Sequence, residues 1–571
     1  MTETIVAAPG AALSIAPRTA ESETTSTGAI DPGAAERIIG RIEPHSYPVV
    51  ARAEADVLDA LRRLDLPLHV IEDQAGIGLS HRPPRGSRLL AYAGPADPVL
   101  LGDVRFLAAH GVRAPLMAGA MANGIASKEL VVEQARAGYL GSFGAAGLLP
   151  ERIDATLTEL ATLIPGLPFA CNLIHAPSEE RLERTGIDLF LKHRVRCVEA
   201  SAFMDVTRHV VRYRALGLRQ DRDGTIRAEN RLIAKLSRAE VAEKFLAPAP
   251  AALLAALVAD GEISAEQALL AARVPLADDL TVEADSGGHT DRRPLSALFP
   301  SIVRLRDRLA GQTPGWVVRV GAAGGIATPE AVLAAFTMGA AYVVTGSVNQ
   351  SCIEAGTSTE VKEMLATAGV ADVDMAPAAD MFELGVELQV LRRGTMFAAR
   401  ARRLRELYRT YDGLEAIPDA ERAKLEQQLF RRPLTEVWAE TAAYFARRDP
   451  AQLARAEGDP KRRMALVFRW YLGMSSRWST VGEAGRGADY QIWCGPAMGA
   501  FNDWVRGSYL EPASARRVAD VSYQLLAGAG YLARVEVLRR AGVGLPAGHR
   551  EFRPQPLDWA ASNAKDLGWA V

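Results

Sequence analysis

Between residues 111 and 350 the apolar residues of this chain fall in short continuous runs instead of alternating with polar ones. The runs are APLMAG (114–119), YLGSFG (139–144), PFACNLI (168–174), RVRCVEAS (194–201), RLIAKLS (231–237), LTVEADSG (280–287), WVVRVGAA (316–323) and AAYVVTGS (340–347). Such runs mark strands buried on both faces, as in a parallel sheet. Helical spacing fills most of the gaps, as in SKELVVEQARAG (127–138) and TPEAVLAAFTMG (328–339). Eight strand–helix units over about 240 residues predict an α/β fold, a closed (β/α)8 TIM barrel. An open doubly wound sheet needs no eight units and usually carries its phosphate loop after the first strand.

The rhythm has a beginning, two breaks and an end. Residues 1–38 are rich in Ala, Ser, Thr, Gly and Pro without periodicity, which predicts a disordered leader. Helical spacing over 51–66 suggests a small N-terminal α/β cap over 39–110. The barrel is then expected over 111–374. Inside it, the Ala/Leu-rich stretch 241–274 reads as an added helical pair. From 375 to 510 the chain reads as a helical, Arg-rich subdomain, inserted or appended, that a barrel does not need. Residues 511–571, amphipathic over 514–542, are expected to return to the barrel.

Composition narrows the function. In 571 residues, 49% hydrophobic and 23% charged, a large core can form and wholesale disorder is excluded. Lys plus Arg total 66 against 68 Asp plus Glu, so no net charge pulls the chain to nucleic acid or an anionic membrane. No apolar run approaches the ~18 residues a membrane helix needs. The N-terminus lacks the basic start of a signal peptide. Cys171, Cys197, Cys352 and Cys494 form no CxxC pair, which fits neither a zinc site nor a disulfide framework. Buried free thiols in a reducing cytoplasm are the simplest reading, with no metal site.

Barrel chemistry sits at the C-terminal strand ends. The first strand ends in Ala118-Gly119, small enough for a flat ring to approach the backbone, or simply a tight turn. The third delivers Asn172, an amide suited to a heterocycle, and His175, an acid, a base or a structural histidine. The fifth carries Lys235, which needs an anion or ring acceptor if buried, or else snorkels at the strand end. The sixth is the sharpest feature: Gly287 and Gly288 free the backbone just before His289, which titrates near neutrality and suits proton transfer. A metal there is a rival reading, but no second histidine stands at ligand spacing. After the seventh and eighth strands, Gly324-Gly325 and Gly346-Ser347 offer backbone N–H groups where barrels often hold a phosphate.

These residues resemble the flavin-dependent nitronate monooxygenase and enoyl reductase superfamily. More narrowly, CNLIHAPSEE (171–180), NRLIAKLSR (230–238), EADSGGHTDRRPL (283–295), FELGVELQVLRRGTMFAARA (382–401) and CGPAMGAFNDWVRGSYLE (494–511) resemble the PfaD family, trans-acting enoyl reductases of polyketide and polyunsaturated fatty acid synthases. The resemblance covers roughly residues 40–545. It implies FMN reduced by NADPH or NADH, and hydride passed to a 2-enoyl thioester on an acyl carrier protein. It also implies roles. Gly324, Gly325, Gly346 and Ser347 would hold the FMN phosphate. Ala118, Gly119, Asn172 and Lys235 would contact the ring or ribityl chain. Gly288 would line the cofactor, and His289 would polarise the thioester or protonate the enolate, with His175 as second candidate. A homodimer is the family-level expectation.

Two other classes compete. A flavin oxidase of the nitronate monooxygenase type would use His289 as base and O2 as acceptor, but has no clear need of the helical segment. A non-catalytic synthase assembly subunit would have no reason to keep the Gly-rich turns and His289. Under the reductase reading, Arg392, Arg393, Arg400, Arg402 and Arg403 are expected to form a basic encounter face for an acidic carrier protein.

Overall fold

Each of the eight apolar runs forms a strand. A computed structural model describes residues 50–175, 180–312 and 315–556, all within one unit; the leader expected over 1–38 and the chain beyond 556 lie outside them. Strands β1 (Leu68–Asp73), β2 (Gly76–Ser80) and β3 (Arg88–Ala93) make an antiparallel N-terminal sheet, order β2-β1-β3. The barrel follows with β4 (Leu116–Ala118), β5 (Leu140–Phe143), β6 (Ala170–Ile174) and β7 (Cys197–Ser201). A hairpin of β8 (Leu218–Gln220) and β9 (Ile226–Ala228) intervenes before β10 (Arg231–Leu236) and β11 (Asp279–Glu283). The short β12 (Gly288–His289) comes next, then β13 (Arg319–Ala323) and β14 (Val343–Thr345) close the barrel. Its order is β10-β11-β13-β14-β4-β5-β6-β7, every pair parallel.

Strand alternation sorts the interior from the shell. Met117, Leu140, Ala170, Cys197, Ile233 and Val344 fill the centre. At the N-terminal end Arg319 donates to both oxygens of Asp279, at 2.6 and 2.8 Å, and His110 adds a third contact at 2.8 Å. Those partners overcome burial and hold the Asp279 carboxyl down at about 2. That end is therefore plugged by a paired charge, and the opening lies at the other.

Two expectations change. The stretch 241–274 is three helices, not a pair: Ala239–Leu246, Ala251–Ala259 and Ala265–Ala271. Pro248 and Pro250 cannot continue the first helix, and a capping box of Ser264 and Gln267 starts the third. The segment after 375 begins not as helix but as β15 (Val373–Pro377) and β16 (Glu387–Leu391), an antiparallel pair that β12 joins as a third strand. Only then do the helices Phe397–Thr410, Leu434–Arg448, Pro460–Val481 and Ala497–Val505 follow. Their buried Leu404, Val437, Met464 and Phe468 belong to the same apolar cluster as the barrel shell.

The 23-residue helix Val518–Arg540 ties the chain's ends together. One side packs on the barrel helix Pro329–Thr337, where a Cβ at Gly528 would come 2.5 Å from Pro329 Cγ. Another side, through Tyr531, Val535 and Leu538, completes the core of the N-terminal sheet. Buried Arg534 donates to the carbonyls of Leu61 (3.2 Å) and Arg63 (2.8 Å), capping the helix Glu54–Arg62. All four cysteines are buried and unpaired. Among the described residues no helix is long and apolar enough to cross a membrane.

Candidate active site

The C-terminal strand ends open into one cavity of about 2100 Å3. Gly119, Asn172, Glu199, Lys235 and Glu283 come to it from the barrel, and Arg469, Gly473 and Ser476 of the helix Pro460–Val481 come to it from the helical segment. Of the residues singled out from sequence, His175, His289, Gly119, Asn172, Lys235, Gly288, Gly324, Gly325, Gly346 and Ser347 all line it. Ala118 does not: its methyl is wholly buried in the shell, because Met117 takes the inward position of β4. Gly119, not Ala118, offers the open face.

The floor is polar and ordered. Asn172 Nδ2 donates to Glu199 O (3.2 Å) and Ser201 Oγ (3.0 Å), which fixes the amide and leaves its oxygen as the acceptor. Lys235 Nζ meets Glu283 Oε1 at 3.0 Å. Burial works against the ammonium, but Glu283 and Glu199 outweigh it and raise the Lys235 pKa. Glu199 itself accepts the Ala120 N–H at 3.0 Å through Oε2, pinning the loop after β4. Sequence reasoning passed over Glu199, although its signal matched that of Lys235: one charge inside an apolar strand.

The turns after β13 and β14 form a cradle. Gly324 and Gly325 have φ of 82° and 76°, the left-handed region, and a Cβ on Gly324 would lie 2.6 Å from the Ala284 backbone. The N–H groups of Gly325 and Gly346 have no acceptor among the described residues, and a Cβ at either would meet nothing within 4 Å. Unpaired N–H groups beside open space are the chemistry of an anion site. This donor set, above a floor with an amide acceptor and an ammonium donor, fits a flat heterocycle with an anionic tail.

His289 is placed from outside the barrel. β12 pairs with β16, His289 opposite Leu388 and Gly288 opposite Gln389. Gln389 Nε2 donates to Asp285 Oδ1 (3.0 Å) and Ser286 O (2.8 Å). A Cβ on Gly287 would sit 2.8 Å from Cys494 N, so the two backbones touch, and Gly495 N–H donates to Ser347 Oγ at 3.1 Å. Burial pushes the Cys494 thiol up to about 12, so its contribution is close packing, not reactivity. His289 Nε2 meets Asp380 Oδ1 at 3.2 Å. Burial lowers the His289 pKa, but the Asp380 hydrogen bond and charge outweigh it and raise the pKa overall. Asp380 is correspondingly held below the usual carboxylate range.

His175 stands across the mouth, after β6. Its N–H donates to Ser201 O at 3.0 Å, and its ring stacks on Phe203 at 5.0 Å. Nδ1 lies 3.2 Å from Glu183 Oε2.

The expected basic encounter face is largely neutralised within the chain. Arg393 pairs with Asp372 (3.3 Å), Arg402 with Asp374 (2.8 Å), Arg403 with Glu421 (2.7 Å) and Arg400 with Asp489, while Arg392 donates to Ala371 O (3.3 Å). Spacing along a helix showed the arginines but not the carboxylates that the fold brings to them.

Fold and cavity define the class: a (β/α)8 barrel whose open mouth meets a helical segment. The chain belongs to the nitronate monooxygenase family, whose model matches residues 105–395. Residues 411–490 match a second model, the inserted helical domain of [acyl-carrier-protein] S-malonyltransferase. One of the polyunsaturated fatty acid synthase proteins of Thraustochytrium sp. is 48% identical over 84% of this chain and 32% of its own length. Polyketide biosynthesis protein PksE of Bacillus subtilis is 44% identical over 75% of this chain and 55% of its own. The chain thus spans about a third to a half of these relatives. The crystal structure of the enoyl reductase domain of MlnA, from the macrolactin cluster of Bacillus amyloliquefaciens, is 37% identical with a TM-score of 0.73, over 77% of this chain and 98% of that one.

Proposed function

We propose that this protein is a trans-acting, cytoplasmic enoyl reductase. It reduces 2-enoyl thioesters on an acyl carrier protein of a polyketide or polyunsaturated fatty acid synthase, using FMN and NAD(P)H. The observation that carries the reading is a single cavity. It joins the unpaired N–H groups of Gly325 and Gly346 to the Lys235–Glu283 pair and to the His289–Asp380 pair. The names of the relatives support the pathway, and the MlnA domain supports the reaction. The unpaired buried thiols fit a reducing compartment.

Gly324, Gly325, Gly346 and Ser347 would hold the FMN phosphate, and Gly119, Asn172 and Lys235 the ring. Bound there, FMN would supply two-electron hydride chemistry between NAD(P)H and the β-carbon. The remaining work belongs to the chain. Gly119, where a Cβ would strike Val344 Cγ1 at 2.7 Å, keeps the strand end close-packed at the cavity wall. Lys235 would offer the ring a positive charge. His289, whose protonated form the Asp380 carboxylate favours, can hydrogen-bond the thioester oxygen as negative charge develops there.

The test is the mass of crotonyl-loaded acyl carrier protein after anaerobic incubation with the protein, FMN and NADPH. A gain of two hydrogens, reduced at least tenfold in rate by His289→Ala, is expected. No gain, with NADPH oxidised once air is admitted, would overturn the reductase reading in favour of an oxidase. No gain and no bound flavin would favour an assembly role without catalysis.

A further inference from the structure

The mouth holds two histidines, and one of them is built more tightly than a wall residue requires. Glu183, from the helix Glu180–Lys192, is 3% exposed. Its Oε2 faces His175 Nδ1 and its Oε1 accepts the Thr207 hydroxyl proton. Thr207 is in turn fixed as the N-cap of the helix Arg208–Leu216, accepting Val210 N–H at 3.4 Å. A carboxylate oxygen facing Nδ1 favours the tautomer that carries its ring proton there. Nε2 has no partner among the described residues and is the nitrogen left to the cavity, where the His175 side chain remains 14% exposed.

The ring plane is also imposed. Ala202 takes φ of 60°, in the left-handed region that disfavours a residue with a Cβ. It lies between Ser201, which accepts the His175 N–H, and Phe203, on which the ring stacks at an interplanar angle of 22°. Phe203 is backed edge-on by Phe245 at 6.0 Å. Backbone strain of this kind persists where the surroundings hold a side chain in place for a task. One face of the ring is covered by the apolar Phe203, and both residues line the same cavity. An apolar wall beside the ring suits the carbon atoms of an alkene better than a phosphate.

We infer that His175, positioned by Glu183, delivers the proton to the α-carbon of the enoyl thioester. The inference rests on the enoyl reductase reading of the same cavity, and divides the labour: His289 steadies the thioester oxygen and His175 completes the C–H bond. As hydride adds to the β-carbon, the alkene π pair moves toward the α-carbon and the carbonyl oxygen. The proton delivered is a second one, taken from solvent onto Nε2 beforehand: the Nε2–H bond breaks, its electron pair stays on nitrogen, the proton forms the α C–H bond, and the Nδ1 proton stays facing Glu183. His175 ends neutral and takes a proton from solvent. NAD(P)H is the two-electron donor and leaves as NAD(P)+. Glu183 is a positioning residue, acting only through the ring.

The test uses the full chain loaded with FMN, pre-reduced anaerobically in D2O and mixed with a small crotonyl thioester. Flavin reoxidation is followed by absorbance and the α-deuterium by NMR of the product. His175→Gln is expected to slow reoxidation about 10²- to 10⁴-fold, the usual span for a lost general acid, and to scramble the configuration at the α-carbon. Glu183→Gln should slow it about tenfold, with Glu183→Asp recovering most of the loss. In the cofactor-free protein, ¹⁵N spectra should place the His175 ring proton on Nδ1, and Glu183→Gln should redistribute it. Wild-type reoxidation and a single α-configuration in His175→Gln would overturn the assignment. A wild-type protein that binds FMN but is not reoxidised by the thioester would overturn the enoyl reductase reading and this one with it. That outcome shows before any variant is made.

Discussion

The two histidines of the mouth are held by different parts of the chain. His175 meets its carboxylate eight residues on, and its other supports, Ser201, Phe203 and Thr207, come from the next strand–helix unit. His289 meets its carboxylate 91 residues away, and its loop is clamped by Gln389 and Cys494, which the barrel did not require. The setting of His175 is thus a product of barrel folding alone. The other histidine is set only when the segment beyond the barrel docks. A barrel can therefore carry half its site locally and draw the other half from an added segment, so mutations on the two sides should fail differently.

The most damaging change opens the clamp. Gly287→Val places side-chain atoms where Cys494 N, Cα and C already lie within 3.0 Å of the Cβ position. Backbone cannot yield as a side-chain tip can, so a loss of about 2–4 kcal/mol of stability is expected, read by urea unfolding. The same variant should lower enoyl turnover more than it lowers FMN affinity.

A subtler change reaches His289 through pH. Asp380→Asn removes the partner that raises the His289 pKa, so an NMR titration should show that pKa falling. In the wild type a raised histidine pKa stabilises the fold fully below the unfolded value of about 6.5 and loses that contribution as pH rises through the folded value. The lowered Asp380 pKa stabilises above the unfolded carboxylate value and is lost as pH falls through the folded one. The pair therefore works between those limits, and because both side chains are partly exposed its worth is below about 1 kcal/mol.

The mildest change lies on the His175 side. Gly186 sits inside the helix Glu180–Lys192, and a Cβ there would meet only Leu173 Cδ1, at 3.4 Å. Gly186→Ala should leave stability unchanged or raise it by up to about 1 kcal/mol through helix propensity, read as a small rise in Tm.

The barrel was legible because strands buried on both faces cannot alternate: each had to be written as an apolar run, and all eight were. The cradle was legible because left-handed turns call for glycine, as at Gly324 and Gly325. The strands β15 and β16 were hidden, since five-residue strands beside a long Arg-rich helix leave little periodicity of their own. Asp380, Gln389 and Glu183 were hidden because a polar residue outside a motif carries no mark of the group it will face.

Patterning and local backbone chemistry were enough for the eight strands, the glycine turns and the strand ends that bear Asn172, Lys235 and the two histidines. Those are properties of short segments, set by burial and φ. Folding had to add the rest: Ala118 turns outward while Gly119 faces the mouth, four of the five arginines meet carboxylates, and each of the two histidines has its own carboxylate. Pairing a charge is a relation between distant segments, and its partner exists only once the core has brought them together.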